Sequence, residues 1–266
     1  MRVGLSTASL FRRKYNEEAL PFFDCIGVKT AEVFLGTFCE YDPAYGKKLT
    51  SVKGDVDVHS IHVLNTQFEP QLFNQNPRAR ADSFGWLEKA LLCANELGAT
   101  KYTFHGTARM KRASRDPKND NFSAMIEGVR AISDFCQSYD VDLCLENVEW
   151  STYNRPGVFE KIAEGVPSLL GVLDIKQARI SEYPYEEYLQ EMGERIATVH
   201  ISDINAEGKM CLPGKGVFDF ETLIKRLRDV NCHAPLLIEV YEKDYEKEEE
   251  LKISCDYIAE LIDKIK

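Results

Sequence analysis

The feature that most restricts this chain is a series of eight short, continuously apolar runs separated by loops and amphipathic helical segments. The runs cover residues 2–5, 30–35, 56–63, 100–105, 141–146, 170–174, 197–201 and 236–240. A strand with one wet face would alternate apolar and polar residues. Runs that are apolar throughout suit parallel strands covered on both faces. Between them, Ala81, Phe84, Leu87, Ala90, Leu91 and Ala94 recur at helical spacing, with Gly98 as a stop. Residues 122–139, 219–230 and 248–265 show the same spacing, and 43–49 and 185–193 show it more weakly. Eight β/α units in roughly 250 residues is the size of a closed barrel. The expected fold is therefore α/β, a (β/α)8 barrel forming a single domain over residues 1–266. An open doubly wound sheet would want a glycine-rich phosphate loop after the first strand, and Ser6-Thr7-Ala8-Ser9 stands there instead.

A net charge of −10 disfavours a polyphosphate partner over most of the surface. The one basic cluster, Arg109 to Arg115, falls after the fourth run. Eight cysteines include no C-x-x-C pair, and several sit in apolar runs, which reads as buried reduced thiols. The first residues lack the apolar stretch of a secretory signal, and no run approaches the ~18 apolar residues of a membrane span. The expectation is a cytoplasmic protein with no membrane or nucleic-acid partner. Exposed barrel helices leave room for a homo-oligomer.

Side chains at the C-terminal ends of barrel strands converge on one mouth. Here those ends carry His62, His105, Glu146, Asp174, His200 with Asp203, and Glu239. Two like charges 4 Å apart repel by about 4 kcal/mol at an effective dielectric near 20. Three converging carboxylates must shift one another's pKa or recruit a cation. Taken singly, a Glu after a strand more often compensates a helix dipole. Glu146, Asp174, His200 and Glu239 on four successive strands instead suggest three oxygens and one nitrogen around a divalent ion. That set suits Mn2+, Mg2+, Co2+ or Zn2+.

This ordered set resembles the xylose-isomerase-like TIM-barrel superfamily, which includes sugar isomerases, ketose epimerases, dehydratases and an AP-endonuclease branch. The resemblance runs from Glu32 through His62, His105-Gly106, Glu146-Asn147, Asp174, Val199-His200-Ile201-Ser202-Asp203 and Gly214-Lys215-Gly216 to Glu239. It implies one divalent metal, Mn2+ first, on Glu146, Asp174, His200 and Glu239, with Glu146 and Glu239 doubling as proton-transfer groups. Many relatives place a histidine three residues after the sixth-strand aspartate. This chain has Gln177, which can hydrogen-bond a hydroxyl but cannot act as a general acid. The endonuclease branch needs further ligands, including a histidine after the seventh strand, that are not found here.

The reaction implied is isomerisation or epimerisation of a sugar or related polyol. A proton beside a carbonyl would be removed through a metal-stabilised enediolate. His62, His105, Gln177, Trp150, Lys176 and Asp203 are the expected substrate contacts. A lyase or dehydratase acting on a sugar- or polyol-derived ketone is the alternative. An AP endonuclease and a non-catalytic binding subunit rank behind it.

Overall fold

The computed structural model describes residues 1–64, 67–107 and 122–265. The basic cluster at 109–115 lies outside the described residues. Eight parallel strands close into a barrel: β1 (Val3–Ser6), β2 (Thr30–Leu35), β3 (Asp57–Val63), β4 (Lys101–Phe104), β5 (Asp142–Glu146), β6 (Leu170–Asp174), β7 (Ile196–Ile201) and β10 (Leu236–Ile238). The order around the barrel follows the chain, and β10 closes onto β1. A small antiparallel ribbon, β8 (Asp203–Ile204) and β9 (Met210–Cys211), is inserted after β7. The single (β/α)8 barrel expected from the apolar runs is the observed fold. No helix among the described residues is long and apolar enough to cross a membrane.

The helices are α1 (Asn16–Cys25), α2 (Pro43–Val52), α3 (Pro77–Leu97), α4 (Phe122–Gln137), α5 (Val158–Gly165), α6 (Ile175–Ile180), α7 (Tyr185–Met192), α8 (Phe220–Asp229) and α9 (Glu249–Lys264). Local chemistry explains the clearest of them. Asn76 caps α3 by accepting from Arg78 N at 3.0 Å, proline opens its first turn, and Gly98 ends it at φ 78°. Leu87, Ala90, Leu91 and Ala94 are the stripe it buries. Asp219 caps α8 through Thr222 N at 2.9 Å.

Periodicity missed α1, α5 and α6. Helix α1 contains Pro21, α5 has 8 residues, and α6 has 6 and starts directly after β6. Such short segments offer too few turns for a 3.6-residue period to stand out.

Register sets up the mouth. Asp174 pairs directly with His200 across β6 and β7, and Leu237 pairs with His200 on the other side. Phe34 pairs with His62 across β2 and β3. The eighth strand ends at Ile238, earlier than the apolar run suggested, but Glu239 N still donates to Ile201 O at 3.0 Å and holds Glu239 at the rim. His59 lies lower, bonded to Ala197 O at 3.0 Å, as a structural residue.

Barrel closure also demands close backbone approach at Gly4, where a Cβ would meet Thr30 O at 2.2 Å and Leu237 Cδ2 at 2.7 Å. Gly4→Ala is expected to cost at least about 2 kcal/mol through overpacking. A lower thermal midpoint by calorimetry would show it; an unchanged midpoint would contradict this account of closure.

Candidate active site

Four adjacent strands bring Glu146, Asp174, His200 and Glu239 together at the C-terminal mouth. His200 Nδ1 stands 2.9 Å from Glu146 Oε1 and 3.3 Å from Glu239 Oε2. One ring nitrogen cannot direct a single proton at both. Asp174 joins Glu146 and His200 within 4.8 Å. Its Oδ1 caps α6 by accepting from Gln177 N at 2.8 Å, which leaves Oδ2 toward the site. Asn147, not singled out from the sequence as a site residue, clamps the backbone of Asp174 in both directions. Its Nδ2 donates to Asp174 O and its Oδ1 accepts from Asp174 N, each at 2.8 Å.

A second layer is built from two further carboxylates. Glu32 is fully buried in β2 and accepts from Ser60 Oγ at 2.8 Å and Thr103 Oγ1 at 2.7 Å. It also faces His62 Nδ1 at 3.2 Å and His200 Nε2 at 3.1 Å. Glu69 is equally buried. It accepts from Tyr102 OH at 2.6 Å and from His105 N at 3.2 Å, and meets His105 Nδ1 at 3.1 Å. Each carboxylate thus fixes the Nδ1–H tautomer of its histidine. The two Nε2 atoms then face each other at 2.9 Å, with Glu146 Oε2 3.2 Å from that of His105. The resemblance marked Glu32 only as a matching position, and Glu69 gave no sequence signal, because it lies away from any strand end with no neighbouring motif.

The expected substrate contacts divide. Lys176 is 5% exposed, and its Nζ lies 3.5 Å from both Asp174 Oδ2 and Glu239 Oε1. The Trp150 ring sits 5.4 Å from that of His105. Gln177 lies one turn into α6, and its backbone is what touches Asp174. Asp203 is buried, and its carboxylate is occupied by the backbone N–H groups of Ile204, Gly214, Gly216 and Phe218 at 2.7–3.0 Å. It shapes the glycine loop, with no oxygen left over for an incoming hydroxyl.

Burial and neighbours shift these groups together. Burial pushes Asp174 up to about 6, against the pull of Lys176. Burial opposes ionisation of Glu239 too, but His200 and Lys176 outweigh it and hold the carboxyl at about 2. Burial disfavours charge on His62 and His105. Glu32 and Glu239 nevertheless lift His62 to about 10, and Glu69 and Glu146 lift His105 to about 9. The 2.9 Å contact admits one proton between the two rings.

Three buried atoms, Glu146 Oε2, His200 Nε2 and Glu239 Oε2, have no well-directed hydrogen-bond partner among the described residues. Orphaned acceptors beside three convergent carboxylates fit a cation, and the groups able to hold one include Glu146 with Asp174 and His200, and His200 with Glu239, Glu32 and His62.

The sequence profile described as xylose isomerase-like TIM barrel matches residues 24–261. The chain belongs to that family. Several solved structures superimpose over nearly the whole chain. The D-psicose 3-epimerase of Clostridium cellulolyticum H10, solved with D-tagatose, aligns at TM-score 0.78 and 14% identity over 100% of this chain and 99% of that one. The IOLI protein with a bound zinc atom aligns at 0.79 and 16% over 100% and 99%. The probable 3-DHS dehydratase AsbF of Bacillus anthracis aligns at 0.73 and 15% over 97% and 99%. At these identities the likeness is one of fold. Uncharacterized protein MJ0008 of Methanocaldococcus jannaschii is 25% identical over 115 residues, 42% of this chain, and the chain spans about half (49%) of that relative's length.

A folded-state pKa above the unfolded histidine value of about 6.5 means that protonation stabilises the fold. That contribution is complete below pH about 6.5 and is lost as pH rises through about 9 to 10 for the His62–His105 pair. Chelator-treated protein is therefore expected to lose thermal stability across this window. A flat melting temperature there would show that the pair carries no extra proton.

Proposed function

We propose that this protein is a divalent-metal-dependent isomerase or epimerase of a sugar or related polyol, working by proton transfer beside a carbonyl. One observation carries the reading. Glu146 on β5 and Glu239 after β10 approach the same His200 nitrogen from the two ends of a four-strand arc. A substrate carbon held between them would meet a carboxylate on either side. One carboxylate removes the proton and the other returns it, to the opposite face in epimerisation or to the adjacent carbon in isomerisation.

Glu146, Asp174, His200 and Glu239 would hold the metal, with Mn2+ first among Mn2+, Mg2+, Co2+ and Zn2+ on a mainly oxygen donor set. When bound, the ion supplies Lewis-acid stabilisation of charge developing on substrate oxygen. The chain's own residues do the rest. Lys176 adds a buried positive charge beside Asp174 and Glu239, suited to an oxygen that gains negative charge. His62 and His105, held by Glu32 and Glu69 with their Nε2 atoms 2.9 Å apart, are assigned to substrate hydroxyls. Trp150 covers His105 and limits water. Gln177, at the first turn of α6, is assigned to a substrate hydroxyl.

The sugar epimerases among the structural neighbours support this class of chemistry, and the cytoplasm is the assigned compartment. One arrangement favours a second reading. The imidazole pair could hand its shared proton to a departing hydroxyl, which would make the protein a dehydratase, the activity named for the neighbour AsbF.

The purified protein is expected to carry about one equivalent of divalent metal. It should exchange solvent deuterium into a ketohexose beside the carbonyl, and chelation should abolish that exchange reversibly. Metal-free protein that exchanges at full rate would sink the metal assignment. Net loss of water in place of exchange would select the dehydratase. Glu146→Gln is expected to lower exchange at least ~10²-fold, the lower range for a positioned acid–base group, with the fold intact. Near-normal exchange in that variant would remove Glu146 from the mechanism.

A further inference from the structure

Beside the mouth, a second cavity of about 440 Å3 opens between the loop after β1 and the loop after β2. None of the carboxylates or histidines described above lines it. Its size falls within the range of small-molecule sites, and its lining sets the aromatic rings of Phe11, Tyr15 and Phe34 among charged and polar residues, a mixture suited to a ligand with both apolar faces and hydroxyls.

The aromatic surface there is unspent. Phe11 is 42% exposed and Tyr15 is 71% exposed. Single exposed aromatics need no explanation, but Phe11 and Tyr15 line one cavity together with Phe34. Arg12, next to Phe11, adopts a left-handed φ of 69°, which non-glycine residues rarely take. Its guanidinium reaches over the Phe11 ring at 6.0 Å, and its only ion pair among the described residues is a 3.7 Å contact with Glu242.

The walls are held rigidly. Arg13 donates to the carbonyls of Glu242, Tyr245 and Glu246 and ties the loop after β1 to the loop after β10. Asn16 donates to Phe34 O at 2.9 Å. Glu40 accepts from Gly36 N at 2.6 Å. A cavity already in its binding shape loses little to ordering when a ligand enters.

Phe34 connects this cavity to the mouth. It follows Glu32 by two residues on β2, so both project to the barrel interior. Its ring meets His62 edge-on at 5.2 Å and Phe11 edge-on at 5.5 Å. One ring is thus a wall of the mouth and the floor of the cavity.

We propose that the cavity binds a second sugar ring, carried as a glycosidic substituent on the reacting sugar. Flat aromatic faces pack against the apolar face of such a ring. Arg12 and Thr37 at the rim are placed for its hydroxyls. Binding energy gained there would be spent at the reacting carbon, so a substrate lacking the second ring loses turnover as well as affinity. This rests on the proposed sugar chemistry of the mouth.

The test compares D-fructose with its 4-, 5- and 6-O-glucosyl derivatives, using solvent deuterium incorporation by the metal-loaded full-length protein. At least one disaccharide is expected to show kcat/KM at least tenfold above fructose, with part of the gain in kcat. Phe11→Ala is expected to lower the disaccharide value at least tenfold and the fructose value less than threefold. Arg12→Gly keeps the left-handed turn and is expected to act in the same direction. Equal values for fructose and every disaccharide, or equal losses on both in the variants, would overturn the subsite. A second arm is independent of catalysis. Phenyl β-D-glucoside has no free carbonyl, and its binding is read by saturation-transfer NMR. Binding that Phe11→Ala removes supports the subsite even where no sugar exchanges deuterium, an outcome that overturns only the reading of the mouth. Absence of glucoside binding to the wild-type protein overturns the subsite.

Discussion

The structure turns on one electrostatic constraint: five carboxylates, those of Glu32, Glu69, Glu146, Asp174 and Glu239, meet at the mouth of the barrel, four of them buried and Glu239 13% exposed. An isolated buried carboxylate is costly enough that it normally takes up a proton. Here each one has a cation or a donor. Glu32 holds two hydroxyls and faces two imidazoles, and Glu69 holds a phenol, an imidazole and a backbone amide. Glu146 faces two imidazoles, and Asp174 and Glu239 share Lys176. Among the described residues of this cluster, Glu146 Oε2, His200 Nε2 and Glu239 Oε2 are left without a well-directed partner, around the same histidine.

This arrangement also separates positioning from reaction. Glu32 and Glu69 each hold the Nδ1 of one histidine and so set which ring nitrogens meet, His62 Nε2 and His105 Nε2. Asn147 fixes the backbone of Asp174, and Asp203 gathers four amides of the loop that follows β7. These residues give the mouth its rigidity. In the proposed reading, Glu146, Glu239 and Lys176 are the groups left to meet substrate. Rigid supporting contacts of this kind keep an acid–base pair within the narrow geometry that proton transfer requires.

Much of the fold was legible because a buried parallel strand must be apolar throughout, and eight such runs in one chain leave few closed solutions. Glu146, Asp174, His200 and Glu239 were legible for a related reason: each is a polar residue at the end of an apolar run, and a barrel gathers strand ends. Glu69 was not legible, since it opens a short 3-10 helix (Glu69–Phe73) after β3, away from any strand end, and acquires its role only when that segment meets Tyr102 and His105. Asp203, expected as a substrate contact, meets four backbone amides in the structure. A carboxylate at a strand end gives the same sequence signal whether it meets a ligand or four backbone amides.

The sequence alone determined the (β/α)8 architecture and the strand ends from which the principal side chains project, because side-chain periodicity and burial are local properties of a strand. Only the tertiary structure decided which donors each carboxylate meets, which nitrogens of His62 and His105 meet each other, and that Lys176 stands between Asp174 and Glu239. Those outcomes depend on distances between residues dozens of positions apart, and barrel closure and register set such distances where no local pattern can.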